Sequence, residues 1–414
     1  MPHRTALWTA PIVAALLVAL GLKLHIALTT VGTNDVPTWQ RFTHEVTTLG
    51  GLATYRVDRD MNHPPFMVLA LRGIHAAEQH TALPFRFWIR LPAIIADVVT
   101  LLLVAWRYPP TSDQRGLALL LLALAPPLIL ISGFHGNTDP VMITFVVLTA
   151  VLLDHRLPPA VAGIAFGMSL NIKIVPLLLA PALLLAIPTW RGRLAFGAAA
   201  ALTTGIPTLP YLLVEPRLFL HQVIAYHGLF GQWGYTRLIK IFLSHQWAMT
   251  AQDLARSWGR HLLIGAIAGV SLWQARYRPQ TSAFWRCGTV IATFFALTPG
   301  FGVQYLAWMV PWVVALGPGV ALAIYGTSGL FLFEVYNAWA KKWPWEYADS
   351  LGGWTAYPYI IRLELIAWLA ICAALILFLA RRENTLIINR RAATLSAPAP
   401  QSGDRDRTAV ETMR

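Results

Sequence analysis

The sequence predicts an all-α polytopic membrane protein, and three observations predict it. Of its 414 residues 56% are hydrophobic and only 12% are charged, a balance that a soluble core does not call for. The apolar residues come in runs parted by short polar breaks, many of them near the ~20 residues that one bilayer crossing requires. Runs such as Leu117–Leu124 and Leu177–Leu185 are continuous, whereas a membrane β-barrel alternates with a period of two.

Taken in order, these runs give about twelve spans. They centre near Leu16, Val98, Leu121, Val146, Phe166, Leu179, Ala201, Ala268, Thr293, Trp312, Ile324 and Cys372. The first, Ala6 to Thr29, is too long for a signal-peptide core and is followed by many others, so it reads as a retained anchor. The spans near Phe166 and Leu179 are short. Their ends need protein neighbours, which places both inside the bundle.

Orientation follows from the short loops. Arg107 and Arg115, Arg191 and Arg193, Arg276, Arg278 and Arg286, and Arg381, Arg382, Arg390 and Arg391 share one side, the cytoplasmic one by the positive-inside rule. The long loops Val31–Trp88, Glu215–Gly259 and Val335–Pro358 then face outward. Residues 1–391 are expected to form a single transmembrane domain, with 30–88 as its first external loop. Residues 392–414 are too polar to pack and read as a disordered cytoplasmic tail. Lys and Arg outnumber Asp and Glu by 32 to 19. In a membrane chain this excess speaks for loop anchoring and anionic lipid, not for nucleic acid. Cys287 and Cys372 both fall in apolar runs and suggest neither a disulfide framework nor a thiolate metal site.

The outer loops carry elements of their own. Trp39, Phe42, Val46 and Leu49 recur at helical spacing behind the candidate caps Asn34 and Asp35, and Gly50-Gly51 stops them. That pattern predicts a helix lying in the interface. A second external segment starts at Asn62-His63-Pro64-Pro65, with proline tolerated in the first turn. Trp233, Tyr235, Trp343, Trp345, Trp354, Tyr357 and Tyr359 crowd the same side, as an interfacial belt does.

Polar groups gather at this outer boundary, where apolar ones would cost less. They are Asp35, the pair Arg86 and Arg90, the turn bearing His135, Asn137 and Asp139, then Lys173, and Gln304 with Tyr305. Ionisable groups at membrane depth are expensive and point first to function. Plainer readings stand beside this one. Asp35 and Asp139 suit helix N-caps, Arg86 and Arg90 suit snorkelling to headgroups, and Asp97 suits a packing partner for a neighbouring helix. Lys173 has the weakest plain reading, because an ammonium among apolar residues needs an anion. No phosphate loop, dinucleotide fingerprint or zinc spacing occurs.

Several motifs follow one another along the chain. They are Thr33-Asn34-Asp35, Gly51 with Tyr55, His63-Pro64-Pro65-Phe66, Arg90 with Asp97, and His135-Gly136-Asn137-Thr138-Asp139. Gly163 through Gly167 then leads into Ile172-Lys173-Ile174-Val175-Pro176, and Phe301, Gln304-Tyr305, Trp308 and Pro311 close the series. In this order they resemble the GT-C superfamily of integral-membrane glycosyltransferases, above all its polyprenyl-phosphate-sugar branches. The resemblance implies an inverting transfer of a hexose, mannose ahead of others, from a polyprenyl-phosphate sugar. The acceptor would be a lipid-linked, glycan or protein hydroxyl on the non-cytoplasmic face of the plasma membrane.

Asp35 would be the general base, and Lys173, Arg90 and Arg237 would meet the donor phosphate. His63, Arg86, His135, Asn137, Asp139, Gln304 and Tyr305 would line the site, with no metal and no other cofactor. Asn34 departs from the acidic pair that some mannosyltransferases of this kind carry. The alternative is a transporter or flippase for a lipid-linked or anionic solute. Transporters favour midplane sites in repeated halves, whereas here the charge lies near one face and no repeat is visible.

Overall fold

A computed structural model describes residues 2–224, 228–350, 353, 354 and 356–383. The expected disordered tail, 392–414, lies outside the described residues. Within them the chain is 79% helical, with 17 helices and no barrel, an all-α polytopic membrane architecture. It runs α1 (Pro2–Thr29), β1 (Gly32–Thr33), α2 (Asp35–Thr48), α3 (Gly51–Val57), α4 (Phe66–Gln79), α5 (Phe85–Arg107), α6 (Asp113–Ala123) and α7 (Pro126–Leu130). A π-helical turn, Ile131–His135, leads to α8 (Asp139–Asp154) and α9 (Pro159–Ile172), and a 3₁₀ turn, Val175–Leu179, leads to α10 (Ala180–Ala186). Next come α11 (Trp190–Val214), α12 (Pro216–Phe219), β2 (Leu229–Phe230), α13 (Gly234–Phe242), α14 (His245–Tyr277) and α15 (Ala283–Leu297). The chain closes with β3 (Gly300–Phe301), 3₁₀ turns at Val303–Trp308 and Trp312–Leu316, α16 (Pro318–Ala340), β4 (Tyr347–Ala348) and α17 (Pro358–Ala380).

Every span centre read from the sequence falls in a helix or helical turn. Six helical stretches are long and apolar enough to cross a membrane: Ala6–Thr29, Phe85–Arg107, Asp113–His135, Trp190–Val214, Pro318–Ala340 and Pro358–Ala380. The shorter apolar helices Pro159–Ile172, Val175–Ala186 and Ala283–Leu297 lie between them in sequence.

Burial is uneven among the helices. All residues of α15 except Leu297 are buried, and α8 buries most of its length. The 25-residue α11 buries only Phe196, Ala200 and Thr208. A short helix can keep its ends away from lipid only if protein covers them, and α8 and α15 are covered in this way. Between α9 and α11 the approach is close. A Cβ on Gly163 would meet the Phe196 carbonyl, and one on Gly167 would sit 2.8 Å from the Ala200 carbonyl. Small residues four apart let membrane helices pack backbone to backbone, and Asn171 Nδ2 donates to the Thr203 carbonyl at 3.0 Å to hold the register.

The bundle has two chemically distinct ends. At one, Arg107 Nε pairs with Asp154 Oδ2 and its Nη2 with Glu383 Oε1, both at 2.8 Å. Glu383 also accepts from Ser282 Oγ at 2.8 Å, and Asp154 accepts from the Ala283 amide at 2.7 Å. This clasp draws together the ends of α5, α8 and α17 and the start of α15. The other end holds the loop helices α2, α3 and α4. There, β1 pairs in parallel with β4, Gly32 facing Tyr347 and Thr33 facing Ala348, and β2 pairs antiparallel with β3.

Candidate active site

Asp35 is held by a segment fixed from both sides. Gly32 has φ +98°, and a side chain there would run into the Arg90 guanidinium and the Phe134 carbonyl. Glycine is the residue that adopts this conformation without penalty. Thr33 Oγ1 donates to the His135 carbonyl at 2.8 Å and accepts from the Asp35 amide at 3.3 Å. Asn34 occupies the N-cap position of α2 without capping it; its Oδ1 accepts from the Ser350 amide at 3.2 Å instead. Asp35 opens the helix, where the dipole favours a negative charge. The face Val36, Trp39, Phe42, Thr43 and Val46 is buried, so α2 is anchored by the stripe its sequence displays.

The Asp35 side chain does not cap α2; it turns to the loop before α8. Its Oδ2 accepts from Asn137 Nδ2 at 2.6 Å and lies 3.2 Å from His135 Nε2. His135 ends the π-helical turn, and its Nδ1 is 2.8 Å from the Tyr336 hydroxyl on α16. Asn137 Oδ1 accepts from Lys173 Nζ at 3.1 Å, and Lys173 Nζ also pairs with Asp139 Oδ2 at 2.6 Å. Trp308 Nε1 completes Asp139 by donating to Oδ1 at 2.6 Å. One hydrogen-bonded chain thus runs Tyr336, His135, Asp35, Asn137, Lys173, Asp139, Trp308. Burial grades along it. Asp139 is fully buried and Lys173 nearly so, while the Asp35 side chain is 30% exposed.

This setting decides protonation. Burial pushes the Asp35 carboxyl up. The charge His135 can carry, hydrogen bonds from His135 and Asn137, and the Lys173 ammonium outweigh it and hold Asp35 below its ordinary value. His63 is pushed down to about 3, first by burial and then by the Lys173 charge, against a hydrogen bond to Ile172 and the Asp35 charge. It stays a neutral ring, with Nδ1 3.2 Å from the Ile172 carbonyl and its face 4.5 Å from Trp39.

Of the residues picked from sequence, Asp35, His135, Asn137, Asp139 and Lys173 form one cluster, and His63 adjoins it through Ile172. Tyr305 stacks on Trp308 with centroids 4.3 Å apart, and Gln304 is half-buried against Gly302. Three arginines go elsewhere. Arg237, expected at the donor phosphate, is buried on α13 and paired with Glu364 of α17, with Nη2 to Oε2 at 3.0 Å. Arg90, expected at the phosphate too, donates to the carbonyls of Ala27, Thr30 and Val31. Arg86 donates to the Leu28 carbonyl at 3.0 Å. Both satisfy the free carbonyls at the end of α1 and so fix the turn that presents Asp35. Asp97 pairs with Lys23 of α1 at 2.6 Å, as a packing partner does.

Tyr336 escaped the sequence reading, and Thr33 stood in a motif without a role. So did Trp308. Its aromatic neighbours could have marked it, but a tyrosine in an apolar span carries no signal of its own. Among the described residues no three His, Cys, Asp or Glu side chains gather as metal ligands do. A groove of about 880 Å³ opens beside the cluster between α1 and α16. It is lined by apolar residues, Leu22, Ile26 and Phe134 among them, and by polar ones that include His25, Thr29 and Lys342. The family model for glycosyltransferase family 87 matches residues 63–299, more than half of the chain. Among curated proteins none matches.

Proposed function

Because the chain belongs to glycosyltransferase family 87, a family of membrane glycosyltransferases, we propose that it moves a hexose, mannose ahead of others, from a polyprenyl-phosphate sugar. The acceptor is a hydroxyl of a lipid-linked, glycan or protein molecule. The site faces away from the cytoplasm, in the plasma membrane, at the end of the bundle opposite the arginine-rich clasp. The observation that carries the reading is the joining of Asp35 to Lys173 through Asn137 alone, a base and a cation at the same membrane boundary.

Asp35 takes the acceptor proton as the hydroxyl oxygen bonds to the anomeric carbon, and the bond from that carbon to the phosphate oxygen breaks with inversion. A base within hydrogen-bond reach is worth about 10²–10⁴-fold in such a step. The phosphate departs with the electron pair and gains charge. Lys173 has three N–H donors, of which Asn137 and Asp139 take two; the third meets the phosphate. Arg90 and Arg237 take no part in phosphate binding in this reading. The groove between α1 and α16, with apolar and polar residues in its lining, falls within the ~300–1,000 Å³ of small-molecule sites and supports a lipid-borne substrate.

The test is transfer from labelled polyprenyl-phosphate mannose and glucose, with EDTA present, by wild type and by Asp35→Asn. EDTA-resistant transfer that Asp35→Asn loses by about 10²-fold or more supports donor, class and base together. A fully active Asp35→Asn removes Asp35 as the base.

A further inference from the structure

Two donors converge on the same oxygen of Asp35. Asn137 Nδ2 and His135 Nε2 both address Oδ2, and among the described residues no side chain hydrogen-bonds to Oδ1. The side chain is nonetheless 30% exposed, so Oδ1 is the oxygen open to a substrate. On the far edge of the imidazole, the Tyr336 hydroxyl lies 2.8 Å from Nδ1. Tyr336 is fully buried, and no other partner for its hydroxyl is found among the described residues. A buried phenol that failed to donate here would leave its proton unsatisfied, at a cost of about 1–3 kcal/mol. It therefore donates to Nδ1. The ring then carries its own proton on Nε2, facing Asp35.

We propose that His135 and Tyr336 are positioning residues of the transfer reaction: Tyr336 fixes the tautomer of His135, His135 with Asn137 pins Oδ2, and Oδ1 receives the acceptor proton. This rests on the reading of Asp35 as the base. The acceptor O–H bond breaks and an Oδ1–H bond forms; the acceptor oxygen bonds to the anomeric carbon; the lipid phosphate leaves with the electron pair, and Asp35 later returns its proton to water. Oδ2 accepts from both donors whether Asp35 is carboxylate or acid. No hydrogen bond has to break during the cycle.

The groups facing the pair come from several elements. Asp35 stands on α2, Asp139 on α8, Lys173 after α9 and His63 before α4. The Lys23–Asp97 ion pair and Arg90 face the π-helical turn from α1 and α5, and Tyr305 comes from the turn Val303–Trp308. Without the Tyr336 hydroxyl, Nδ1 is free to take a proton. The ring then turns a lone pair toward Oδ2, and the base loses one of its two donors.

The experiment compares kcat and donor KM of the full chain, from about pH 5.5 to 8.5, for wild type, Tyr336→Phe, His135→Gln, His135→Leu and Asp35→Asn. We expect Tyr336→Phe to lower kcat about 10- to 100-fold at unchanged donor KM, the worth of one charge-assisted hydrogen bond. His135→Gln keeps an N–H that reaches Oδ2, and should stay at least ~10-fold more active than His135→Leu. The proposal is overturned by a Tyr336→Phe enzyme with wild-type kcat, by one whose loss falls on donor KM instead of kcat, or by equal activities of the two His135 variants. Should Tyr336→Phe not fold, the His135 comparison decides alone. An active Asp35→Asn removes the base itself; an inactive one beside an unaffected Tyr336→Phe removes only the positioning role.

Discussion

Lys173 makes two predictions at the scale of one residue. Lys173→Ala removes a donor to the phosphate and should raise donor KM more than it lowers kcat. It also strands Asp139, fully buried, with Trp308 as its remaining partner; breaking a buried pair costs about 3–5 kcal/mol, visible as a lower melting temperature. An unchanged donor KM would remove Lys173 from the phosphate site. Protonation gives a third prediction. His63 sits at about 3 in the folded chain, below its unfolded value of about 6.5. The unfolded chain therefore binds the extra proton as pH falls, and the contribution of His63 is complete above about 6.5 and lost progressively toward 3. The melting temperature of wild type should drop between pH 7 and 5, and that of His63→Gln should drop less. Asp35, held below its ordinary value, stays ionised throughout that window and adds no limb to kcat/KM there. Asp35, His135, Asn137, Asp139 and Lys173 were legible in the sequence because charge is costly beside apolar spans. Arg237 misled for the same reason. Its partner Glu364 lies on another helix 127 residues away, and nothing near Arg237 announces it.

Elements differ in how much of them a periodic pattern reveals. The α2 helix was legible in most of its buried stripe, because Trp39, Phe42 and Val46 repeat at the helical period; Leu49, expected in the same stripe, is the exposed C-cap residue. The two-residue ladders were not, since two residues have no period, and β1 and β4 lie more than 300 positions apart. Yet β1 is what sets the start of α2. Two glycines test this. Gly32→Ala adds the cost of a positive φ, about 1 kcal/mol or more, to a collision with Arg90 and the Phe134 carbonyl, and should cut transfer sharply. Gly50 has a similar φ of +88° but open space around it. Gly50→Ala should cost only the backbone term and leave kcat within about two-fold. Equal activities would show that the turn at Gly32 does not govern Asp35.

Over the whole molecule, the ionic clasp and the candidate site occupy opposite ends. Glu383 holds Arg107, Tyr108 and Ser282 together, far along the bundle from Asp35. Glu383→Ala should lower the melting temperature by the equivalent of about 1–3 kcal/mol while the folded enzyme keeps its kcat and KM. A parallel loss of kcat would mean that the two ends communicate. The family match covers residues 63–299 and leaves Asp35, Trp308 and Tyr336 outside it, so the site is closed by segments from both flanks. The β1–β4 ladder has a consequence for biosynthesis. The Gly32 amide donates to the Glu346 carbonyl and the Asn34 amide to the Ala348 carbonyl, so the strand leading to the first carboxylate of the site finds its neighbour only after some 300 further residues have left the ribosome. A nascent chain carries Asp35 through most of its synthesis without the strand that fixes the segment before it.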